Sequence, residues 1–219
     1  MVTVVMFAFL AGISINAVHG RSSKKSDKGW VFDIRSDRGG HQAMYLSQTG
    51  VRFNHKSFTA LLKAPDFDAV VLNTSTKKYT RMPYETWMKR YGSTNRRSFA
   101  RVGKPATLVG FKTFRYQAPS RKPGYKREFW MTTDLVIPDK VTAFVSKVMN
   151  VPEGSGLPLK IASIRSGTTP LVEWQVVSYK RQTLPEKMFT VPAGYKKVES
   201  EMELLIQDSA ADGMADLLR

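Results

Sequence analysis

The chain contains no cysteine. That excludes disulfides, thiolate metal sites, a cysteine nucleophile and a lipid attached through sulfur. Histidine is nearly as scarce: His19, His41 and His55 are the only three. His19 falls in the leader described below, and two remaining imidazoles with no HExxH motif cannot build a three-histidine zinc site. His41 and His55 lie near a turn and a strand end, where exposed or singly hydrogen-bonded imidazoles are expected. No GxSxG occurs, and Glu153-Gly154-Ser155-Gly156 reads as a turn rather than a nucleophile elbow. A glycine-rich phosphate loop is also missing. Carboxylates are few, 18 against 34 Lys and Arg, and none pair at a spacing that demands acid–base work. The expectation is a protein that is not an enzyme, with no catalytic residue, no metal and no cofactor.

What the chain has is positive charge and a sufficient core. Its 219 residues carry a formal net charge of +16, and 42% are hydrophobic. This length suits one domain with appendages, and this apolar content excludes disorder of the whole chain. The charge points to a polyanionic partner: nucleic acid, anionic lipid or polysaccharide. It is also a sum of opposites. The last 21 residues hold six acids against one base, Arg219, for −5, so the first 198 carry +21.

Residues 1–20 contain no charged side chain, and 2–18 are mostly apolar. That run is short for a membrane span of about 20 residues and suits a secretory signal, with an uncleaved anchor as the alternative. Either way the rest is expected to be exported, to periplasm or medium. Export lowers the prospect of a nucleic-acid partner. Residues 21–29 read as a basic linker, 30–198 as the folded domain, and 199–219 as an acidic C-terminal helix that could lie over the basic body and compete with an anionic ligand.

Within 30–198, short runs with period-two character recur every 8 to 12 residues, as in an antiparallel meander. They cover about 30–35, 41–47, 51–54, 58–62, 69–72 and 77–82, then 107–118, 126–134, 159–166 and 171–181, with a last extended piece at 188–192. Two helices interrupt them. Tyr84, Trp87, Met88 and Tyr91 fall on one helical face, as do Val141, Phe144, Val145 and Val148. Pro83 suits the start of the first, and Asp139 is a good cap for the second. Phe129 and Met131 oppose Trp130 along one strand, so both faces carry apolar groups. A strongly curved sheet with helices inside it explains that. The tripeptide Asn73-Thr74-Ser75 matches a glycosylation acceptor.

Several short signatures then stand in order: Met44-Tyr45-Leu46-Ser47-Gln48-Thr49-Gly50-Val51-Arg52, Trp130-Met131-Thr132-Thr133-Asp134-Leu135, Gly156-Leu157-Pro158-Leu159-Lys160, and Met188-Phe189-Thr190-Val191-Pro192-Ala193-Gly194-Tyr195-Lys196-Lys197. With the order of elements, they resemble the periplasmic lipoprotein-carrier (LolA/LolB-like) superfamily and its uncharacterised relatives. The resemblance implies an α+β fold: an unclosed antiparallel β-barrel of about eight to ten strands around a plug of two or three amphipathic helices. It also implies an apolar cavity that holds acyl chains.

These readings converge on an exported carrier or binding protein for a lipid, acyl chain or other apolar ligand with an anionic head group. The expected cavity lining is Trp87, Met88, Phe114, Trp130, Phe144 and Trp174. The expected anion-binding rim is Arg52, Lys112, Arg115 and Arg127, with an anionic membrane surface as a further partner. Two alternatives are a protein–protein or regulatory module of the envelope without lipid, and a basic surface that binds polyanions.

Overall fold

A computed structural model describes residues 28–91, 99–119 and 124–206. The leader, most of the basic linker and residues 207–219 of the acidic tail lie outside the described residues. Six strands come first: β1 (Lys28–Ser36), β2 (Gly40–Leu46), β3 (Gly50–His55), β4 (Phe58–Lys63), β5 (Ala69–Asn73) and β6 (Lys78–Met82). Helix α1 (Tyr84–Tyr91) follows, then β7 (Ala100–Arg101), β8 (Ala106–Leu108), β9 (Phe111–Pro119) and β10 (Tyr125–Thr132). Helix α2 (Asp139–Met149) precedes β11 (Leu157–Arg165) and β12 (Leu171–Thr183), and β13 (Lys196–Lys197) ends the series. The thirteen strands of the described residues belong to one open sheet, ordered 13-6-5-4-3-2-1-12-11-10-9-7, with β8 paired to β9. Every pairing is antiparallel except β13 with β6. The α+β half-barrel architecture is therefore present. The strand number exceeds the expected eight to ten because β7, β8 and β13 are only two or three residues long. No helix of the described residues is long and apolar enough to cross a membrane.

The meander follows from hairpin chemistry: β1 to β6 are joined by short turns that keep consecutive strands paired. Alternation then sorts side chains by face. One face of β1, β2, β10 and β11 contributes Phe32, Ile34, Met44, Leu46, Phe129, Met131 and Ile161 to the core. Tyr84 of α1 and Val141, Phe144 and Val145 of α2 pack into the same cluster. Trp87 and Phe144 bring the helices together at 4.3 Å between rings. Asp139 is the first residue of α2 rather than its cap: Pro138 holds the cap position and no side chain caps the helix. Tyr84 is buried, and its hydroxyl donates to the Lys140 carbonyl at 3.0 Å. Burial, and secondarily the Glu85 carboxylate, push this phenol above its ordinary value.

The expected strand 107–118 is broken. Val109 and Gly110 take φ of 42° and 83°, so the chain reverses there and β8 pairs back on β9. The expected helix at 199–219 is also corrected in its described part: 199–206 form bends and turns.

Those residues end a strap, 184–206, that crosses the convex face of the sheet. It covers Leu61 and Leu72, which register with Val70 and Thr59 on the face away from the helices. Leu184, Phe189, Val198 and Leu204 are its buried anchors. Phe189 belongs to a 3₁₀ turn (Glu186–Phe189) in place of the start of the extended piece expected at 188–192. The sheet is shaped to receive the strap: a Cβ on Gly29 would meet the Leu184 side chain, and one on Gly50 would lie 3.2 Å from the Phe189 ring. Lys63 pairs with Glu186 at 2.7 Å, and Asn73 Nδ2 donates to the Leu204 carbonyl at 2.8 Å. That bond, with the burial of Asn73, occupies the amide that a glycosylation acceptor must offer. The last of the sequence signatures thus lies within the strap: Phe189 anchors it, and Lys196 and Lys197 pair with Lys78 and Tyr79.

Candidate ligand-binding groove

Among the described residues, the large side chains between sheet and helices are buried. Phe32, Phe129, Met131 and Val141 are each 0% exposed. The described residues form several open grooves, among them one beside the strap at Leu61 and Phe189 and one at the end of α2. The groove with the most suggestive chemistry holds about 470 Å³, within the usual range of small-molecule sites.

Six stretches of the chain build it. The turn after β1 brings Arg38, the end of β3 brings Phe53 and His55, and the next turn brings Lys56. Val148 and Met149 come from the last turn of α2, and Arg127, Ile161, Glu173 and Trp174 come from β10 to β12. Helix α2 stops there because Asn150 adopts the left-handed conformation, φ 50°, and its N–H returns to the Lys147 carbonyl. Val148 consequently projects past the sheet and is 56% exposed.

The floor is apolar and held in place. The rings of Phe53 and Trp174 lie 5.4 Å apart, and Trp174 Nε1 donates to the Pro158 carbonyl at 3.0 Å. His55 stacks on Phe53 at 6.3 Å with an interplanar angle of 9°. Beside this floor a β-bulge redirects a carboxylate. Ile161 pairs with Trp174 but Ala162 pairs with Val172, so Glu173 is the extra residue. Glu173 accepts from Arg127 twice, Nη2 at 2.5 Å and Nε at 3.2 Å, and from the Ser163 hydroxyl. This bidentate pair cancels the charge of Arg127 within the wall. Arg38 and Lys56 make no ion pair among the described residues. They are the uncompensated cations of the rim. Among the described residues no three of His, Asp and Glu converge as metal ligands.

Of the ten side chains expected in a site, Trp174 and Arg127 reach this groove. Trp87, Met88 and Phe144 pack into or against the core. Phe114 sits opposite Met131, toward the β7 edge, with the Arg101 guanidinium 3.9 Å from its ring. Trp130 lies on the other face from Phe129 and Met131, under the Lys160 ammonium at 5.1 Å. Strand alternation puts it outside, so it cannot share a lining with Trp174. The rim cations are likewise dispersed. Arg52 holds the strap through the Met188 carbonyl at 3.2 Å. Arg115 faces Glu128 at 3.7 Å. The Lys112 ammonium stands 5.4 Å from the Phe114 ring. Phe53, Met149, Ile161, Arg38, Lys56 and Glu173 were not anticipated. Phe53 carried a signal in the clean alternation of Val51-Arg52-Phe53, but the bulge that aims Glu173 left none.

No family model and no curated protein matches this chain. Solved structures that overlap it in part include PNGF-II, at 10% identity and a TM-score of 0.49 over 84% of this chain and 32% of that one. An uncharacterized conserved protein from Thermus thermophilus overlaps at 11% identity and 0.47, over 78% and 90%. MucB in the Pseudomonas aeruginosa MucA/MucB complex overlaps at 14% and 0.38, over 76% and 56%. The chain thus spans about a third of PNGF-II and just over half of MucB.

Proposed function

We propose that the protein is an exported, non-enzymatic binding protein whose groove beside the end of α2 takes an anionic amphiphile. The apolar part lies on Phe53, Ile161, Trp174 and Met149, and the anionic end meets Arg38 and Lys56. The observation that carries this reading is the pair of uncompensated cations over a fixed aromatic floor. The uncharged leader supports export.

The reading is narrower than carriage of a chain in an internal cavity: it rests on the groove that the described residues form beside α2. A groove-bound chain that buries about 200 Å² gains about 5 kcal/mol before ordering costs. That alone gives weak binding, so the charged contacts decide whether affinity is useful.

The test is a tryptophan-fluorescence titration with dodecyl amphiphiles below their micelle concentrations: the sulfate, the trimethylammonium and the uncharged maltoside. The sulfate is expected to bind tightest, and Trp174→Phe to remove most of the signal. Arg38→Ala with Lys56→Ala should erase the preference for the anion while leaving maltoside binding unchanged. Equal affinity for all three head groups in the unmodified protein would overturn the reading.

A further inference from the structure

β12 is longer than the neighbour that accompanies it. β11 pairs with it from Ser163↔Leu171 to Lys160↔Gln175 and no further. Beyond that point β11 continues beside β10 alone, and Pro158, which lacks an N–H, occupies the place where the ladder to β12 would have gone on. On its other side β1 follows β12 to the end, as far as Lys28↔Thr183. Among the described residues, 176–183 of β12 therefore have a partner strand on one side only, with Val177 the extra residue of a bulge facing β1. In an antiparallel ladder alternate residues of such a stretch turn their N–H and C=O groups away from the partner. The result is an open seam inside the sheet rather than at its end.

The side chains along the seam are accessible. Val177 and Tyr179 are 37% and 40% exposed, and Ser178, Lys180 and Arg181 are exposed as well. Tyr179 is held upright by the rings of Trp30, Phe32 and Phe111 at 5.4, 6.2 and 4.7 Å. The turn at Gly110 forms the opposite lip: a Cβ there would lie 3.6 Å from the Tyr179 hydroxyl. At the far end the seam opens into a groove of about 470 Å³ that includes Lys28, Trp30, Gln48, Asp134 and Arg181. Arg181 lies over the Trp30 ring at 5.1 Å. Lys28, Lys180 and Arg181 make no ion pair among the described residues.

We propose that this stretch of β12 is a strand-addition site for an extended segment of a protein partner, one with acidic residues opposite Lys180 and Arg181 and an apolar residue opposite Tyr179. Backbone hydrogen bonds supply the affinity of such a site and the alternating side chains its selectivity. Charge decides the occupant. A second copy of this chain would bring Lys180 and Arg181 against a like edge, which is the arrangement that natural edges use to refuse self-pairing. An acidic strand meets two cations that have no carboxylate of their own. The site is separate from the amphiphile groove and does not depend on it.

The experiment uses the whole chain and a short fluorescein-labelled peptide with a central Glu-Asp pair between valines and threonines, followed by anisotropy and by amide hydrogen exchange. Saturable binding is expected, with alternate amides between 178 and 182 slowed. Methylating one alternate set of peptide nitrogens should abolish binding, and methylating the other set should leave it intact. Lys180→Glu with Arg181→Glu should weaken it by about tenfold or more, while Arg38→Ala with Lys56→Ala should not change it. Failure of the peptide to bind, protection elsewhere in the sheet, or indifference to both methylation patterns each overturns the proposal.

Discussion

Gly154 and Gly156 stand two residues apart, both in the left-handed region at φ 71° and 84°. An alanine at either position carries a similar backbone strain of about 1–2 kcal/mol. Their surroundings differ. A Cβ on Gly154 meets nothing within 4 Å, whereas one on Gly156 would lie 1.9 Å from the Thr132 carbonyl oxygen and 2.7 Å from its carbon. Ordinary contact begins near 3.5 Å, so the end of β10 must retreat by more than about 1 Å. Thr132 pairs with Leu157 at the first rung of the β10–β11 ladder. Losing one or two of those hydrogen bonds adds about 1–3 kcal/mol. Gly156→Ala is therefore expected to cost about 2–5 kcal/mol. Gly154→Ala should cost about 1 kcal/mol, since alanine also reduces the freedom of the unfolded chain. The larger loss is a substantial part of a typical stability of about 5–15 kcal/mol. Urea unfolding followed by tryptophan fluorescence separates the two. With a slope of about 2 kcal/mol per molar urea, the midpoint of Gly156→Ala should fall by about 2 M and that of Gly154→Ala by about 0.5 M. Equal shifts for the two variants would refute the close approach of residue 156 to β10.

Two further outcomes follow from the packing. Phe189→Ala is expected to cost about 3 kcal/mol, as for other large-to-small changes at buried sites; native-state hydrogen exchange should show the strap opening before β3 and β4, and uniform opening would contradict a separable strap. Because the Tyr84 phenol is raised above 10, the folded state holds its proton more tightly than the unfolded one. That contribution is complete below pH 10 and is lost as pH climbs through the raised value. Tyr84→Phe should thus be less stable than the parent by about 1 kcal/mol at neutral pH and lose less stability above pH 10, as alkaline urea titrations would show.

Periodic features of the sequence translated well into elements. The stripe Tyr84-Trp87-Met88 marks α1, and Val141, Phe144 and Val145 mark the buried face of α2. Val148 completes the same stripe but is exposed, because periodicity reports a helical face and not whether the sheet beneath extends far enough to cover it. The break at Val109–Gly110 was hidden inside apolar alternation that runs on through Leu108 and Phe111. The course of the strap was hidden for a related reason: 188–197 stood out as a signature, but Leu184, Phe189, Val198 and Leu204 follow no period, since an irregular segment docks wherever the sheet offers room. The groove depends on a bulge and on six stretches far apart in the chain. Neither leaves a local pattern: residue type alone singled out Trp174 and Arg127, the latter for an anion-binding role that its pairing with Glu173 occupies, and nothing in the sequence pointed to Arg38, Lys56 or Glu173.

β1 sits in the middle of the sheet, with its sequence neighbour β2 on one side and β12 on the other. The second pairing joins residues near 30 to residues near 180, as in Trp30↔Arg181. The six-stranded meander can form from local hairpins, but its inner edge stays bare until nearly the whole domain has been traversed. Closing so large a loop costs entropy before any contact repays it, which places refolding toward the slow, millisecond-to-second end of the range. Arrival of β12 on β1 is then the step that commits the chain. Until it happens, the edge carrying Trp30, Phe32 and Ile34 is the stretch most exposed to aggregation.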